Sequence, residues 1–345
     1  MIYQPAHEMI EVEKLTKIFG AKRAVDGISF TVKRGEVLGF LGPNGAGKST
    51  TMRMLTGFFP SSSGKVTVGG FDIAENPIPA KKLIGYLPEN APAYTDMTVH
   101  GFLDFTAEIR GLRGDAKNSA INRVVDLCFL KSVLHQNVDT LSKGYRHRTC
   151  FAQSIIHDPD ILVLDEPTDG LDPNQKHEIR QLIRKMGEKK AIIFSTHILE
   201  EVDAVCTRAM IIDRGKVVAN GTPEELRRKS EWAGAVTLRI NGVAAGAVQE
   251  KLNHLRAAKK VVVAQASRLC VSGSGKETDG RDARATTALA VTVFPRKAGD
   301  GDLTREVIEA TSGWQVEELR TEEGRLDEVF RSITMPDTAG KEAKP

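Results

Sequence analysis

Gly42-Pro43-Asn44-Gly45-Ala46-Gly47-Lys48-Ser49-Thr50 follows an apolar run, Val37-Leu38-Gly39-Phe40-Leu41, and precedes Thr51-Met52-Arg53-Met54-Leu55. A buried strand that turns through glycines into a helix is the setting a phosphate-binding loop requires. Glycines let the backbone curl so that successive N–H groups point inward at phosphate oxygens, and the positive end of the following helix adds to the attraction. In such a loop Lys48 reaches the β- and γ-phosphates and the Ser49 hydroxyl ligates Mg²⁺. A glycine-rich turn with an incidental lysine is the alternative, and the complete pattern with its flanks argues against it.

The rest of the composition is that of an ordinary globular chain. Its 345 residues leave room for about two domains, and 41% hydrophobic content supplies their cores. Lys+Arg 48 against Asp+Glu 45 leaves a net charge of +3, too balanced to argue for a polyanion partner. Cys128, Cys150, Cys206 and Cys270 lie far apart without a C-x-x-C pair, so neither a zinc site nor a disulfide framework is expected, and a reduced cytosolic setting fits. No apolar run approaches the ~18 residues that span a bilayer, and the N-terminus lacks a basic-then-apolar signal pattern. Any membrane function is therefore expected to come through a partner. Met1 to Glu8 reads as irregular and alternation begins at Met9, which makes Met9 a second candidate start.

Ile10 to Lys14 and Ile28 to Val32 alternate like strands, with Phe19-Gly20 between them and Lys33-Arg34-Gly35-Glu36 turning into the strand before the loop. An aromatic just ahead of a nucleotide site can stack on adenine, worth about 0.5–1.5 kcal/mol beyond its buried area; simple core packing of Phe19 is the alternative. Lys65 to Val68 with Gly69-Gly70 reads as a short strand closing another hairpin, and Leu83 to Leu87 resumes the buried sheet up to Pro88-Glu89. From Thr98 the period changes to 3.6. Val99, Phe102, Leu103 and Phe105, then Ile121, Val124, Val125, Cys128 and Phe129, mark two amphipathic helices separated by Gly111 to Gly114. A third helix of this insertion begins at Leu141-Ser142-Lys143-Gly144-Tyr145, with Ser142 as N-cap and the N–H groups of Lys143 to Tyr145 exposed at the positive helix end.

Ile161-Leu162-Val163-Leu164 is apolar throughout, as a central parallel strand should be, and delivers Asp165-Glu166 to its C-terminal edge. Two adjacent carboxylates there divide labour. Asp165 is the candidate for the Mg²⁺ shell, and Glu166 is the candidate general base for the water that attacks the γ-phosphate. Asp172, after Gly170-Leu171, starts a helix at Pro173. Ala191-Ile192-Ile193-Phe194 is a further buried strand that presents Ser195-Thr196-His197 at the same sheet edge, where a histidine can sense phosphate.

With these motifs in this order, residues 9 to about 230 resemble the ATP-binding subunit of an ATP-binding cassette (ABC) transporter. Gly42 to Thr50 matches the Walker A loop, Ile161 to Glu166 matches Walker B with the catalytic glutamate, and Leu141 to Tyr145 resembles the LSGGQ signature. Phe19 resembles the adenine-stacking aromatic, Gly170-Leu171-Asp172 the D-loop and His197 the switch histidine. Ile84-Gly85-Tyr86-Leu87-Pro88-Glu89-Asn90 looks most like the exporter branch that includes gliding-motility ATPases and multidrug or lipid exporters. The resemblance implies an α/β fold: a P-loop NTPase (RecA-like) core with an antiparallel β subdomain and an inserted helical subdomain at about 96–157. It also implies ATP and Mg²⁺ as ligands, and ATP hydrolysis in which Glu166, His197 and Lys48 take part. Two copies would meet head to tail, each nucleotide held between one chain's phosphate loop and the other's Ser142, Lys143, Gly144 and Tyr145. Separately encoded integral-membrane permease subunits would hold the pair at the inner face of the cell membrane, with no nucleic acid expected.

The sequence departs from the family pattern in three places. Glu89 stands where a Mg²⁺-touching glutamine is usual, Lys143 and Tyr145 replace a glycine and a glutamine of the signature, and Asp169 replaces a serine of the D-loop. A soluble cassette ATPase acting on ribosomes or DNA is the second reading; those usually carry two cassettes or long coiled arms, and this chain has neither. A P-loop GTPase is disfavoured because no Asn-Lys-x-Asp motif occurs.

Thr222-Pro223-Glu224-Glu225-Leu226 starts a capped helix, and from about residue 231 the composition shifts. Residues 231–345 are expected to form a small α+β accessory domain, with strands at Ala235 to Ile240, Lys260 to Ala264 and Leu289 to Phe294 and helices at Leu303 to Thr311 and Leu326 to Ile333. Its Leu326-Asp327-Glu328-Val329-Phe330 resembles the closing helix of exporter-type subunits. Within it, Ser267 to Thr287 lacks periodicity and apolar content and is expected to be a disordered insertion; its Gly275-Lys276 has no strand–turn–helix context and is no phosphate loop.

Overall fold

Two long antiparallel strands, β1 (Glu8–Phe19) and β2 (Lys22–Lys33), open the chain, pairing Ile10 with Val32 and Val12 with Phe30. They run well beyond the five-residue segments that alternation marks, because strand pairing carries the pattern through the bulges at Val12 to Lys17. This computed structural model describes residues 8–90, 93–265, 288–297 and 302–334, so the segment 267–287 lies outside the described residues. The chain divides into two compact units, Met1–Pro223 and Glu224–Ile333.

In the first unit β3 (Val37–Leu41) leads through the phosphate-loop residues into α1 (Lys48–Leu55). β4 (Ser63–Val68) and β5 (Phe71–Asp72) complete an antiparallel sheet ordered β2-β1-β4-β5. After α2 (Pro77–Lys82) and β6 (Ile84–Leu87) comes the helical insertion: α3 (Val99–Ile109), α4 (Gly114–Leu127) and α5 (Lys143–Ile155). Thr98 caps α3 by accepting from the Gly101 N–H, and Ser142 caps α5 by accepting from the Tyr145 N–H, so both helices start where a hydroxyl satisfies an orphan donor.

Phe129 does not continue the apolar face of α4. It sits at φ +56°, half exposed, beyond the last helical residue. The Leu130 N–H donates to the Val125 carbonyl at 2.9 Å and the Phe129 N–H to the Asp126 carbonyl at 3.3 Å, a Schellman ending that satisfies the last carbonyls at the cost of a left-handed residue. Periodicity cannot see such a stop when the left-handed residue is not glycine.

β7 (Ile161–Asp165), α6 (Pro173–Gly187), β8 (Ala191–Thr196), α7 (Leu199–Val205), β9 (Arg208–Asp213) and β10 (Lys216–Gly221) finish the unit. The resulting sheet is ordered β10-β9-β3-β8-β7-β6, parallel except for the edge strand β10. Alternate residues feed two cores on opposite faces: Val163 and Ile193 belong to one, Leu164 and Phe194 to the other. Both faces being covered explains why these strands are apolar without alternation. Placing β8 between β3 and β7 gathers the residues after all three strands at one C-terminal edge, where open α/β sheets bind ligands.

The second unit begins within α8 (Pro223–Arg227). β11 (Val236–Asn241), α9 (Ala245–Asn253), β12 (Ala258–Gln265), β13 (Leu289–Pro295), α10 (Asp302–Thr311) and β14 (Gln315–Thr321) form an antiparallel sheet ordered β12-β13-β11-β14, and α11 (Leu326–Thr334) ends the described chain. Leu238, Val291 and Val293 pack with Val248 and Leu252 of α9 and Leu303 and Val307 of α10, so both helices cover the same face of the sheet.

Candidate functional site

The phosphate-loop residues are fixed by close backbone approach. A Cβ on Gly47, at φ +110°, would lie 2.6 Å from the Ala24 carbonyl, and one on Gly42 would lie 2.3 Å from the Ile212 carbonyl. No other residue fits either place. Pro43, Asn44, Gly45 and Ala46 complete the turn, and Ser49 and Thr50 enter α1. Lys48 is buried, with its Nζ donating to the carbonyls of Gly42 at 2.8 Å and Pro43 at 3.3 Å, and lying 3.7 Å from Glu166 Oε1. Its ammonium is folded onto its own loop, within reach of an anion entering the cradle.

Asp165 ends β7 fully buried. Its Oδ1 accepts from Ser49 Oγ at 3.1 Å and from Ser195 Oγ at 2.5 Å, whereas its Oδ2 is buried without a partner. A buried carboxylate oxygen left unpaired is costly and calls for an unseen partner. Together with the Ser49 hydroxyl it offers two hard oxygen donors at one place, which suits Mg²⁺, an ion bound through few protein ligands plus water and phosphate oxygens. Among the described residues no group of three or more His, Cys, Asp or Glu side chains forms a ready cation cage. Glu89 stands exposed two residues beyond the end of β6, on the same sheet edge as Asp165.

Glu166 takes a left-handed conformation, φ +51°, that non-glycine residues adopt at a cost of roughly 1–3 kcal/mol. Its N–H donates to Ser195 Oγ at 3.0 Å, and its Oε2 accepts from His197 Nδ1 at 3.0 Å. A carboxylate can only accept, so the tautomer with the proton on Nδ1 is assigned from this contact. Burial pushes the Glu166 carboxyl above the usual carboxylate range, opposed by the Lys48 charge and the hydrogen bond from His197. The structure thus brings Lys48, Glu166 and His197 into one chain of contacts.

Ser142, Lys143, Gly144 and Tyr145 form a separate group. Lys143 Nζ meets Asp169 at 2.9 Å, a Cβ on Gly144 would touch Gln175 Oε1 at 2.5 Å, and the Tyr145 hydroxyl lies 3.4 Å from Ser132 Oγ. Lys143 therefore pairs with Asp169, so two of the departures from the family pattern neutralise each other. Asp172 caps α6 by accepting from the Gln175 N–H at 2.9 Å. Phe19 is half exposed and meets Phe59 edge-on at 5.8 Å, with Lys17 Nζ 5.2 Å from its ring centre. It pairs in register with Lys22, two residues before the Ala24 carbonyl that confines Gly47.

Two contributors escape sequence reading. Ser195 locks Asp165 and Glu166 together from the neighbouring strand; its only signal is a hydroxyl at the end of an apolar run. Tyr86, on β6, has a buried hydroxyl without a partner, and burial, followed by the charge of Asp165, pushes its pKa up to about 12.

Comparison with known proteins agrees with this geometry. Residues 25–169 match the family described as "ABC transporter". The chain is 41% identical over 227 residues to the probable multidrug ABC transporter ATP-binding protein YbhF of Escherichia coli (strain K12); the match takes in 66% of this chain and 39% of that protein. It is 36% identical over 237 residues to the linearmycin resistance ATP-binding protein LnrL of Bacillus subtilis (strain 168), covering 68% of this chain and 76% of that one. A solved structure described as the ATP binding subunit of an ABC transporter superposes with TM-score 0.60 at 27% identity, over 64% of this chain and 92% of that chain. Asp165, Glu166 and His197 meet the Gly42 to Thr50 loop at one sheet edge, and a relative covered over 76% of its length is 36% identical to this chain: the chain belongs to the ABC transporter family, as one of its ATP-binding subunits.

Proposed function

We propose that this chain hydrolyses ATP to power export through a separately encoded integral-membrane permease. The observation that carries the reading is Glu166, whose carboxylate lies between Lys48 and His197 at the mouth of the phosphate loop. Residues 9–230 act as the ATPase domain, with the helical subdomain at about 96–157, and residues 231–345 as an accessory domain. The N–H groups of Gly42 to Thr50 cradle the phosphates of ATP, Lys48 turns from the loop carbonyls to the β- and γ-phosphates, and Phe19 stacks on the adenine. Ser49 and Asp165 hold Mg²⁺ with Glu89 close by. When bound, the ion would neutralise phosphate charge. Glu166 accepts a proton from a water whose oxygen attacks the γ-phosphorus while the bond from that phosphorus to the bridging oxygen breaks and ADP leaves, and His197 orients that carboxylate and then the released phosphate. Ser142 to Tyr145 and Asp172 complete the site from a second copy arranged head to tail.

A groove of about 1270 Å³ supports a permease partner. Phe58, Tyr94, Phe102, Phe105 and Ile109 line it, and it opens beside Tyr86 and Asn90, on the strand end that leads to Glu89. Exposed Phe58, Tyr94 and Ile109 give a peptide segment from a membrane protein apolar surface to bury. Among the described residues no helix is long and apolar enough to cross a membrane, so attachment at the inner face of the membrane would be through that partner. Purification of the tagged chain from detergent-solubilised membranes tests the proposal. A co-purifying multi-helix protein, with ATPase activity lost in Lys48→Ala, is the expected result; recovery only with ribosomes or DNA would overturn it in favour of a non-transport role.

A further inference from the structure

Glu201 is nearly inaccessible to solvent, on the inner side of α7. A buried carboxylate is costly unless hydrogen bonds compensate it, and here both its oxygens are served by hydroxyls. Thr168 Oγ1 donates to Oε1, and Thr196 Oγ1 donates to Oε2 at 2.6 Å. Thr196 Oγ1 in turn accepts from the Ile198 N–H at 3.0 Å. Both threonines are buried, and they belong to the two segments that carry the reacting groups: Thr168 lies in the turn that starts at Glu166, and Thr196 immediately precedes His197.

We infer that Glu201 is a positioning residue for ATP hydrolysis, a strut that holds the Glu166 turn and the His197 strand end at a fixed separation. This rests on the ATPase reading above. The turn is closed by the Asp169 N–H donating to the Glu166 carbonyl at 3.1 Å, and its first residue sits in the left-handed region. Such a conformation persists only when the surroundings over-determine it. Ser195 fixes the first residue of the turn through its N–H, and Glu201 fixes the third through Thr168. Without the second anchor the turn is free to relax, and the 3.0 Å contact between Glu166 and His197 opens. An acceptor-only group suits the role, because it obliges both hydroxyls to point inward at one place.

The test is steady-state ATPase kinetics of the full chain across pH. Thr168→Val replaces the hydroxyl by a methyl of similar size and removes one arm of the strut. It is expected to lower kcat by roughly 10–100-fold, as removal of outer partners of a site does, with KM for ATP unchanged and the acid limb of the rate profile moved to higher pH. Glu201→Gln, which can accept from one threonine and donate to the other, is expected to retain most of the rate, whereas Glu201→Ala is not. In a Glu166→Gln background Thr168→Val is expected to have no further effect on turnover. Should Glu201→Ala fail to fold, Thr168→Val alone decides. Wild-type kcat and pH profile in Thr168→Val, or a raised KM with kcat intact, overturns the inference while leaving the ATPase reading in place; wild-type turnover in Glu166→Gln overturns the base assignment and the inference with it, and turnover retained in Lys48→Ala overturns the ATPase reading itself.

Discussion

Replacing Glu166 by glutamine removes one negative charge and one proton acceptor with little change of volume. Its carboxylate is 3.7 Å from Lys48 Nζ, so at an effective dielectric of about 20 the lost Coulomb attraction is about 4 kcal/mol before solvation is counted. That attraction competes with phosphate for Lys48, so ATP affinity is expected to hold or rise in Glu166→Gln. Hydrolysis responds in the opposite direction. Loss of a positioned general base costs about 10²–10⁴ in rate, or about 3–5 kcal/mol of barrier, because the amide cannot take the proton of the attacking water. A chain that binds ATP and cannot cleave it is expected to accumulate in the proposed head-to-tail pair, read as a shift in elution volume on size-exclusion chromatography with ATP and Mg²⁺. A mutant that stays monomeric with ATP and hydrolyses at the wild-type rate would refute both the base assignment and the charge competition.

Acid sensitivity has a specific source in His147. Burial holds its pKa down to about 4 in the folded chain, against an ordinary 6.5. The unfolded chain takes up the proton first, so the stability gained by keeping this ring neutral is complete above pH 6.5 and lost as pH falls toward 4. Melting curves between pH 7 and 5 are expected to flatten in His147→Gln by up to about 1.4 kcal/mol per pH unit; an unchanged slope would rule His147 out. Deleting Ser267 to Thr287 is expected to leave melting temperature and ATPase rate nearly unchanged, since a segment of so few apolar residues has little to bury and loop length costs only logarithmically; loss of soluble expression would count against this. Glu89→Gln is expected to retain or raise hydrolysis, because it removes negative charge near the γ-phosphate. Glu89→Ala is expected to uncouple hydrolysis from transport in reconstituted assays across Mg²⁺ concentrations; wild-type Mg²⁺ dependence, turnover and partner stimulation together would make Glu89 a bystander.

Much of the site is legible in the sequence because its parts are contiguous. A strand, a glycine turn and a helix N-terminus occupy a single stretch from Val37 to Leu55, and their chemistry is local, so Lys48 and Ser49 can be placed without tertiary information. The same holds for Asp165-Glu166 at the end of an apolar strand and for Ser142 at a helix start. Local pattern fails where a neighbour decides the outcome. Phe129 has the right spacing for the face of α4, yet the carbonyls of the last turn are satisfied by a left-handed ending that turns it outward.

Strand order is the part that only the tertiary structure decided. Nothing in the linear sequence says that β8 separates β3 from β7, yet that order sets Ser195 against Asp165 and Glu166, and Thr196 against Glu201. It also brings Ser49 to Asp165 across 116 positions of sequence. Motifs supply the reactive groups, because a loop or a cap is built from a few consecutive residues. Their separations are set by which strands pair when both faces of the sheet must be buried, a choice that the whole unit makes together and no single stretch encodes.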